Sequence, residues 1–130
     1  MLSRIRLIFL LLVITQGFQS IEEYLGKLWE VFAPASFLSS LVSNLLKKGF
    51  LIINTGLFVF GLVTFFSIRK NYIKIRGIIW FWISFETING IGHPIWAFFE
   101  KAYVPGLIAA PFLLFFALYL AKLVLTSRHK

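Results

Sequence analysis

The amino-acid sequence predicts an all-α fold, a four-transmembrane-helix bundle that forms a single membrane domain over residues 1–130. The 130-residue chain is 59% hydrophobic, with a mean hydropathy of +0.88, whereas soluble domains are roughly 45–50% apolar. Four apolar segments are each long enough for a helix to cross a hydrocarbon core, which needs roughly 20 residues. A shorter amphipathic segment between the first and second of them predicts a helix that lies in the membrane interface.

The predicted spans cover about residues 5–26, 49–68, 75–99 and 104–125. The first span could instead be a signal peptide, because Arg4 precedes a short apolar core. No clear Ala-x-Ala cleavage site follows that core. We therefore expect this segment to remain in the protein as its first spanning helix.

The interfacial helix is predicted over about residues 35–48, where apolar side chains repeat at helical spacing on one stripe. The opposite face carries mostly serine, together with Asn44 and Lys47. Pro34 suits the start of a helix and Gly49 suits its end. A short amphipathic helix of this kind is typical of the boundary between headgroups and acyl chains.

The distribution of positive charge predicts a multi-pass protein of the cell membrane with both termini in the cytoplasm. Nine of the 13 Lys and Arg residues fall on one predicted side, and four fall on the other. The side richer in cations is cytoplasmic by the positive-inside rule. These cations are Arg4, Arg6, Arg69, Lys70, Lys74, Arg76, Lys122, Arg128 and Lys130.

The same pattern decides which partners the sequence favours. No stretch interleaves basic and aromatic residues as a nucleic-acid surface would, so we expect no nucleic-acid partner. Membrane lipid is the predicted partner of the basic side, and a lipid-soluble small molecule is a further one. The chain has no cysteine, which excludes disulfides and thiolate metal sites.

Polar residues form one stripe on the first span and another on the third, each at the spacing i, i+3, i+7. The two stripes consist of Gln16, Gln19 and Glu23, and of Glu86, Asn89 and His93. Counted along the helices, Glu23 and His93 lie roughly 26 Å and 27 Å from the inner edge. The second span starts at the outer surface, which places Asn54 at a similar depth. We therefore expect one polar pocket in the outer half of the bundle.

The segment TINGIGHPIW on the third span adds a predicted irregularity beside His93. Pro94 cannot donate a hydrogen bond to the carbonyl of Gly90, so the helix should kink or open there. Gly90 and Gly92 allow another backbone or a ligand to approach closely.

Ionisable groups inside a membrane segment predict a functional site, since burying each costs at least ~2.5–3.5 kcal/mol at mid-bilayer. The leading interpretation is a membrane enzyme that performs acid–base chemistry on a lipid-soluble substrate. A hydrolase, an isomerase and a hydratase would all fit. The candidate catalytic residues are Glu22, Glu23, His93 and Glu86, and the candidate substrate-binding residues are Gln19, Asn54, Asn89 and Tyr103.

Other interpretations use the same residues. Glu23 could simply end the first span by pairing with Lys27 at i+4. The amides could be hydrogen-bonding contacts between helices in a small scaffold or subunit, and the carboxylates could serve a proton-coupled transporter. No metal is assigned, although Glu22, Glu23 and His93 would be its ligands if one bound.

The chain resembles the family of small bacterial membrane proteins named for an HXXEE motif. The resemblance covers roughly residues 19–115. It consists of Q-x-x-E-E-Y ending at Tyr24, of Asn89 and His93 in NGIGH, and of Y-x-P-G starting at Tyr103. It implies a membrane enzyme, with the Glu pair and His93 in its site and no substrate named. Gln19 stands where the motif has histidine, and an amide does not titrate near neutral pH.

Overall fold

The computed structural model describes residues 2–127. This range consists of α-helices joined by short connecting segments and contains no strand. Three of its helices, α1 (Leu2–Leu25), α4 (Leu46–Glu100) and α5 (Ala110–Ser127), are long and apolar enough to cross a membrane. The prediction of an all-α fold is confirmed, and the three long helices indicate a membrane protein. The predicted cytoplasmic cations Arg128 and Lys130 lie outside the described residues. The helices are α1 (Leu2–Leu25), α2 (Leu28–Val31), α3 (Ala33–Val42), α4 (Leu46–Glu100) and α5 (Ala110–Ser127).

The chain reverses direction within α4 at Asn71, the one residue inside this helix with non-helical dihedral angles (φ −129°, ψ 29°). The rings of Phe60 and Trp82 lie 5.5 Å apart, although 22 residues of straight helix would separate them by about 33 Å. The two halves of α4, residues 46–70 and 72–100, therefore pack against each other as a hairpin. We call them the first and second halves of α4.

The main hydrophobic core lies at the end of the bundle that contains this reversal. Trp82 is completely buried at its centre, and its ring centroid lies 6.0 Å from that of Phe9, with 87° between the two ring planes. A T-shaped contact of this kind adds to the energy of burial. The remaining core residues come from α1, both halves of α4 and α5: Ile5, Leu12, Val13, Ile68, Ile79, Ile83, Leu113, Ala117, Leu120, Leu123 and Val124.

Two predicted boundaries are wrong. The helix predicted from residue 35 to 48 ends at Val42, because Ser43 is extended (φ −153°) and its hydroxyl accepts a hydrogen bond from the Leu45 N–H at 3.2 Å. Serine side chains that bond nearby backbone in this way compete with helix. The predicted fourth span starts at Ala110 rather than at residue 104, since Gly106 adopts a left-handed φ of +95°.

The expected opening of the helix at Pro94 is not observed. The dihedral angles of α4 stay helical through Pro94 as far as Glu100. Gly90, in contrast, does allow a close approach: a Cβ there would lie 2.8 Å from the Cβ of Leu114 and 2.9 Å from its backbone nitrogen. The backbone of α5 therefore contacts α4 at this glycine.

Most of the apolar stripe of α3 faces away from the protein. Phe37 is 63% exposed and Leu41 is 67% exposed, whereas Ser39 is buried. A Cβ on Gly49 would overlap the Ser39 carbonyl, so the serine face of α3 crosses α4 at a glycine. An inward polar face and an outward apolar face suit a helix that is surrounded by lipid rather than by water.

We predict that Gly90→Ala destabilises the protein and that Gly92→Ala does not. The added methyl group at residue 90 would overlap the α5 backbone and lower the free energy of unfolding by about 1–3 kcal/mol. No atom of the described part of the chain lies within 4 Å of a Cβ at Gly92, so there the higher helix propensity of alanine should leave stability unchanged or raised. Unfolding of both variants in the same detergent measures the difference. Equal stability of the two would contradict the close contact between α4 and α5.

Candidate functional site

A cavity of about 710 Å³ lies between α1, α3 and the two halves of α4. Most of its wall is hydrocarbon or aromatic, including Phe50, Phe85 and Trp96. This size and composition are typical of sites for small ligands, in which a few polar groups orient the bound molecule. The polar side chains on the wall are Gln16, Glu23, Ser39, Asn54, Asn89 and His93.

Glu23 and His93 are in contact on this wall, with 3.3 Å between Oε2 of Glu23 and Nε2 of His93. Both residues are more than nine-tenths buried, and within residues 2–127 theirs is the one such contact between an acidic and a basic side chain. A neutral imidazole satisfies it by donating its Nε2–H to the carboxylate. The alternative pairing of Glu23 with Lys27 is not present in this part of the chain.

The segment between α4 and α5, residues 101–109, covers the other side of this pair. We call it the covering loop. A Cβ on Gly106 would lie 2.7 Å from Cε1 of His93 and 3.1 Å from Oε2 of Glu23. Its φ is also +95°, a conformation that other residues rarely adopt. Both the lack of space and the backbone conformation therefore favour glycine at this position. Nδ1 of His93 is buried here without a hydrogen-bond partner among the described residues.

Gln19, on α1, connects the covering loop to the second half of α4 behind the cavity wall. Its side-chain nitrogen donates to the Gly106 carbonyl at 3.1 Å, and its oxygen accepts from Nδ2 of Asn89 at 2.6 Å. The side chain is completely buried. A buried amide whose donor and acceptor are both used fixes the relative positions of the groups it joins.

Glu86 is completely buried behind the cavity, where its partners are amides. Nδ2 of Asn89 lies 3.3 Å from one carboxylate oxygen. The Gln16 amide is best oriented with its nitrogen toward Glu86, which places that nitrogen 2.7 Å and 2.8 Å from the two oxygens. Glu86 therefore belongs to the hydrogen-bond network that supports Asn89, and His93 is not among its hydrogen-bond partners.

Asn54 reaches the cavity from the first half of α4. Its oxygen accepts a hydrogen bond from the Ser20 hydroxyl at 2.9 Å, and its nitrogen donates to the Phe50 carbonyl at 3.0 Å. The contact with Ser20 joins α1 to the first half of α4.

Glu22 and Tyr103 do not line this cavity. The Glu22 carboxylate accepts hydrogen bonds from the backbone N–H groups of Ile108 at 3.0 Å and Ala109 at 3.1 Å, and also from the Tyr103 hydroxyl. These amides belong to the last two residues of the covering loop, so the carboxylate holds the segment that leads into α5, where the helix dipole favours a negative charge. Partial desolvation and the adjacent Glu22 raise the pKa of Tyr103 to about 12, from an ordinary value of about 10.

The structure thus brings Glu23, Asn54, Asn89 and His93 together on the cavity wall, while the other predicted site residues lie behind it or beside it. Within residues 2–127, no three His, Cys, Asp or Glu side chains form a group suited to a metal ion. The conditional ligand set of Glu22, Glu23 and His93 is not assembled. Sequence reasoning did not assign Gln16 and Gly106 to the site, although one lies on the first polar stripe and the other in the YVPG segment.

Comparison of the chain with protein-family models, with curated proteins and with solved structures found no match.

We predict that Gln19→Leu lowers the free energy of unfolding by about 1–3 kcal/mol, because it removes the side-chain donor to the Gly106 carbonyl and the shortest hydrogen bond of the Asn89 amide. Gln19→His should restore most of that loss, since a neutral imidazole can donate from one nitrogen and accept at the other. Chemical unfolding in detergent measures both variants. Phe18→Leu, at a side chain that is 65% exposed on the same helix, serves as the control.

If Gln19→Leu is as stable as the natural protein, the amide does not hold the covering loop. If Gln19→His is no better than Gln19→Leu, the role of residue 19 depends on the amide itself.

Proposed function

We propose that the protein crosses the cell membrane four times, with both termini in the cytoplasm and α3 in the outer interface. Support comes from the positions of the helix ends. Ile5, near the start of α1, shares a core with Ile68 and Ile79 on either side of the reversal. The hydroxyls of Tyr72 and Ser127 are 2.7 Å apart, so α5 ends there as well.

The basic residues support this orientation because they gather at that same end. Arg4 and Arg6 open α1, four cations flank the reversal at Asn71, and Lys122 lies near the end of α5. A concentration of Lys and Arg at one end of a bundle marks its cytoplasmic side.

Single cysteines test the orientation cleanly, since the chain has none of its own. We expect a membrane-impermeant thiol reagent to label Glu30→Cys in intact cells. Asn71→Cys should be labelled only after the membrane is permeabilised. Both positions are exposed in the structure. The opposite labelling pattern would reverse the orientation, and labelling of both positions in intact cells would refute the four-span arrangement.

We further propose that the cavity is the site of a membrane enzyme that transfers protons to and from a lipid-soluble substrate. The observation that carries this proposal is the Glu23–His93 pair, at 3.3 Å, on the wall of an otherwise largely apolar cavity. Titratable groups are expensive within a membrane. A carboxylate in contact with an imidazole is a common arrangement for general acid–base catalysis.

In this proposal Glu23 and His93 accept a proton from the substrate or from water and return it later in the reaction. Asn54 and Asn89 orient the polar end of the substrate. Within the described part of the chain, the hydrogen bonds of Asn89 run through its nitrogen, so its oxygen is available to a ligand. Glu22 and Tyr103 act indirectly by holding the covering loop against the pair.

The resemblance to the HXXEE family agrees with this assignment and gains a physical interpretation from it. Gln19, at the position of the motif histidine, lies behind the cavity wall and contacts Gly106 and Asn89. The proposed reactive pair remains Glu23 and His93, so replacement of that histidine does not remove either proton-transferring group.

A second candidate function is that of a small scaffold or subunit, and the amide network favours it. Gln16, Gln19 and Asn89 join α1 to the second half of α4 through contacts that stabilise helix packing in lipid. Under this alternative the Glu23–His93 pair would be one more contact between helices.

Lipid analysis of proteoliposomes separates the two candidates. The purified protein is reconstituted with a total lipid extract, and products are sought by mass spectrometry. We expect Glu23→Gln and His93→Gln to slow any conversion by about 10²–10⁴-fold, as loss of an acid or base does, while the unfolding temperature changes little. Glu30→Gln, an exposed carboxylate, should convert lipid at the natural rate.

Conversion by Glu23→Gln and His93→Gln at the natural rate would refute catalysis by the pair. Absence of conversion by the natural protein, together with a large fall in the unfolding temperature of these variants, would favour the scaffold.

A further inference from the structure

We propose that the cavity binds one long-chain lipid whose polar end is an uncharged hydroxyl group, and that this lipid enters sideways from the bilayer between the two halves of α4. The inference deepens the proposed function and rests on it for the membrane placement of the cavity. Two features carry it: the charge of the cavity wall, and two glycines that the packing of helices does not explain.

The polar part of the wall discriminates between lipid headgroups. It offers the Glu23 carboxylate, the His93 imidazole and three amides, and within residues 2–127 neither Lys nor Arg lines the cavity. A phosphate or carboxylate placed here would lie beside Glu23 without a cation to compensate its charge. A hydroxyl group can donate to the Asn89 oxygen and accept from an amide, which satisfies it at no cost in charge.

The rest of the wall suits the hydrocarbon chain of such a lipid. Phe32 and Leu38 line it from the side of α3, and Ile53, Leu57 and Phe60 line it from the first half of α4. Glu23 on α1 contacts His93 on the second half of α4, Asn89 lies one helical turn from His93, and Asn54 is joined to α1 through Ser20. One end of the cavity is therefore polar and the remainder apolar, which matches a molecule with a single polar end.

Gly56 and Gly92 mark the entrance. Gly56 belongs to the first half of α4 and Gly92 to the second, and both line the cavity and are exposed. A Cβ at either position would have none of the described residues within 4 Å. Glycine in a helix costs about 1 kcal/mol relative to alanine, so a glycine without a packing reason suggests a functional one.

Other glycines of the bundle show the contrast. A Cβ at Gly61 would lie 3.0 Å from the Val13 side chain, and a Cβ at Gly90 would lie 2.8 Å from Leu114. Helix packing explains these two. Gly77 resembles Gly56 and Gly92 in having nothing within 4 Å, but it does not line the cavity. It therefore offers a matched control.

The headgroup is tested by native mass spectrometry of the full-length protein released from nanodiscs. The nanodiscs contain equal amounts of hexadecanol, hexadecanoate or hexadecyl phosphate, which share one chain length. We expect one molecule of hexadecanol per protein, retained at least about tenfold more than either anion, since tenfold corresponds to a modest difference in binding free energy. Asn89→Leu should reduce this preference. Equal retention of all three lipids, or retention of the anions alone, would overturn the proposal.

The entrance is tested by the rate at which added hexadecanol appears on the protein. We expect Gly56→Leu and Gly92→Leu to slow loading by about tenfold, whereas Gly77→Leu should load at the natural rate. Natural loading rates in both entrance variants would refute sideways entry. Slow loading in Gly77→Leu as well would show that the effect is not local to the entrance.

These outcomes are distinguishable from failure of the proposed enzyme. Selective retention of hexadecanol with no lipid conversion would support this binding site and refute catalysis. Conversion of an anionic lipid that depends on Glu23 would support catalysis and overturn the headgroup assignment.

Discussion

The Gln19 side chain makes the contact on which the site depends. It is completely buried and joins the covering loop to the second half of α4, through the Gly106 carbonyl and the Asn89 amide. Water is scarce inside a membrane, so polar groups there must find partners within the protein. An amide serves this purpose well because it offers both a donor and an acceptor and carries no charge.

The polar residues of the bundle therefore have two different roles. Amides and a hydroxyl, including Gln16, Asn54 and Ser20, connect helices to one another. The pair of Glu23 and His93 is different, because it lies on the cavity wall and one imidazole nitrogen lacks a partner among residues 2–127. The buried Glu86 carboxylate is surrounded by amide donors of this network, and hydrogen bonds of this kind lower the cost of burying a polar group.

Helical periodicity was sufficient to predict that the stripe of Gln19 and Glu23 meets the stripe of Asn89 and His93, because both stripes face the bundle interior. It was not sufficient for Glu22, whose partners belong to a loop that no local pattern reveals. The start of α5 was misjudged for the same reason: the apolar character of the chain continues through residue 104, while the backbone turns at Gly106. The second half of α4 stays continuous at Pro94. Proline removes only one hydrogen bond of the helix, and membrane helices tolerate this loss.

The neighbouring carboxylates Glu22 and Glu23 have a consequence for the register of α1. Successive residues of a helix point about 100° apart, and here one side chain holds the start of α5 while the next contacts His93. A shift of α1 by one residue would move it about 1.5 Å along its axis and rotate it by about 100°. Both carboxylates would then lose their partners at the same time. The two adjacent glutamates thus fix a single register of α1 against its neighbours. The apolar surface of the bundle alone would be compatible with many registers.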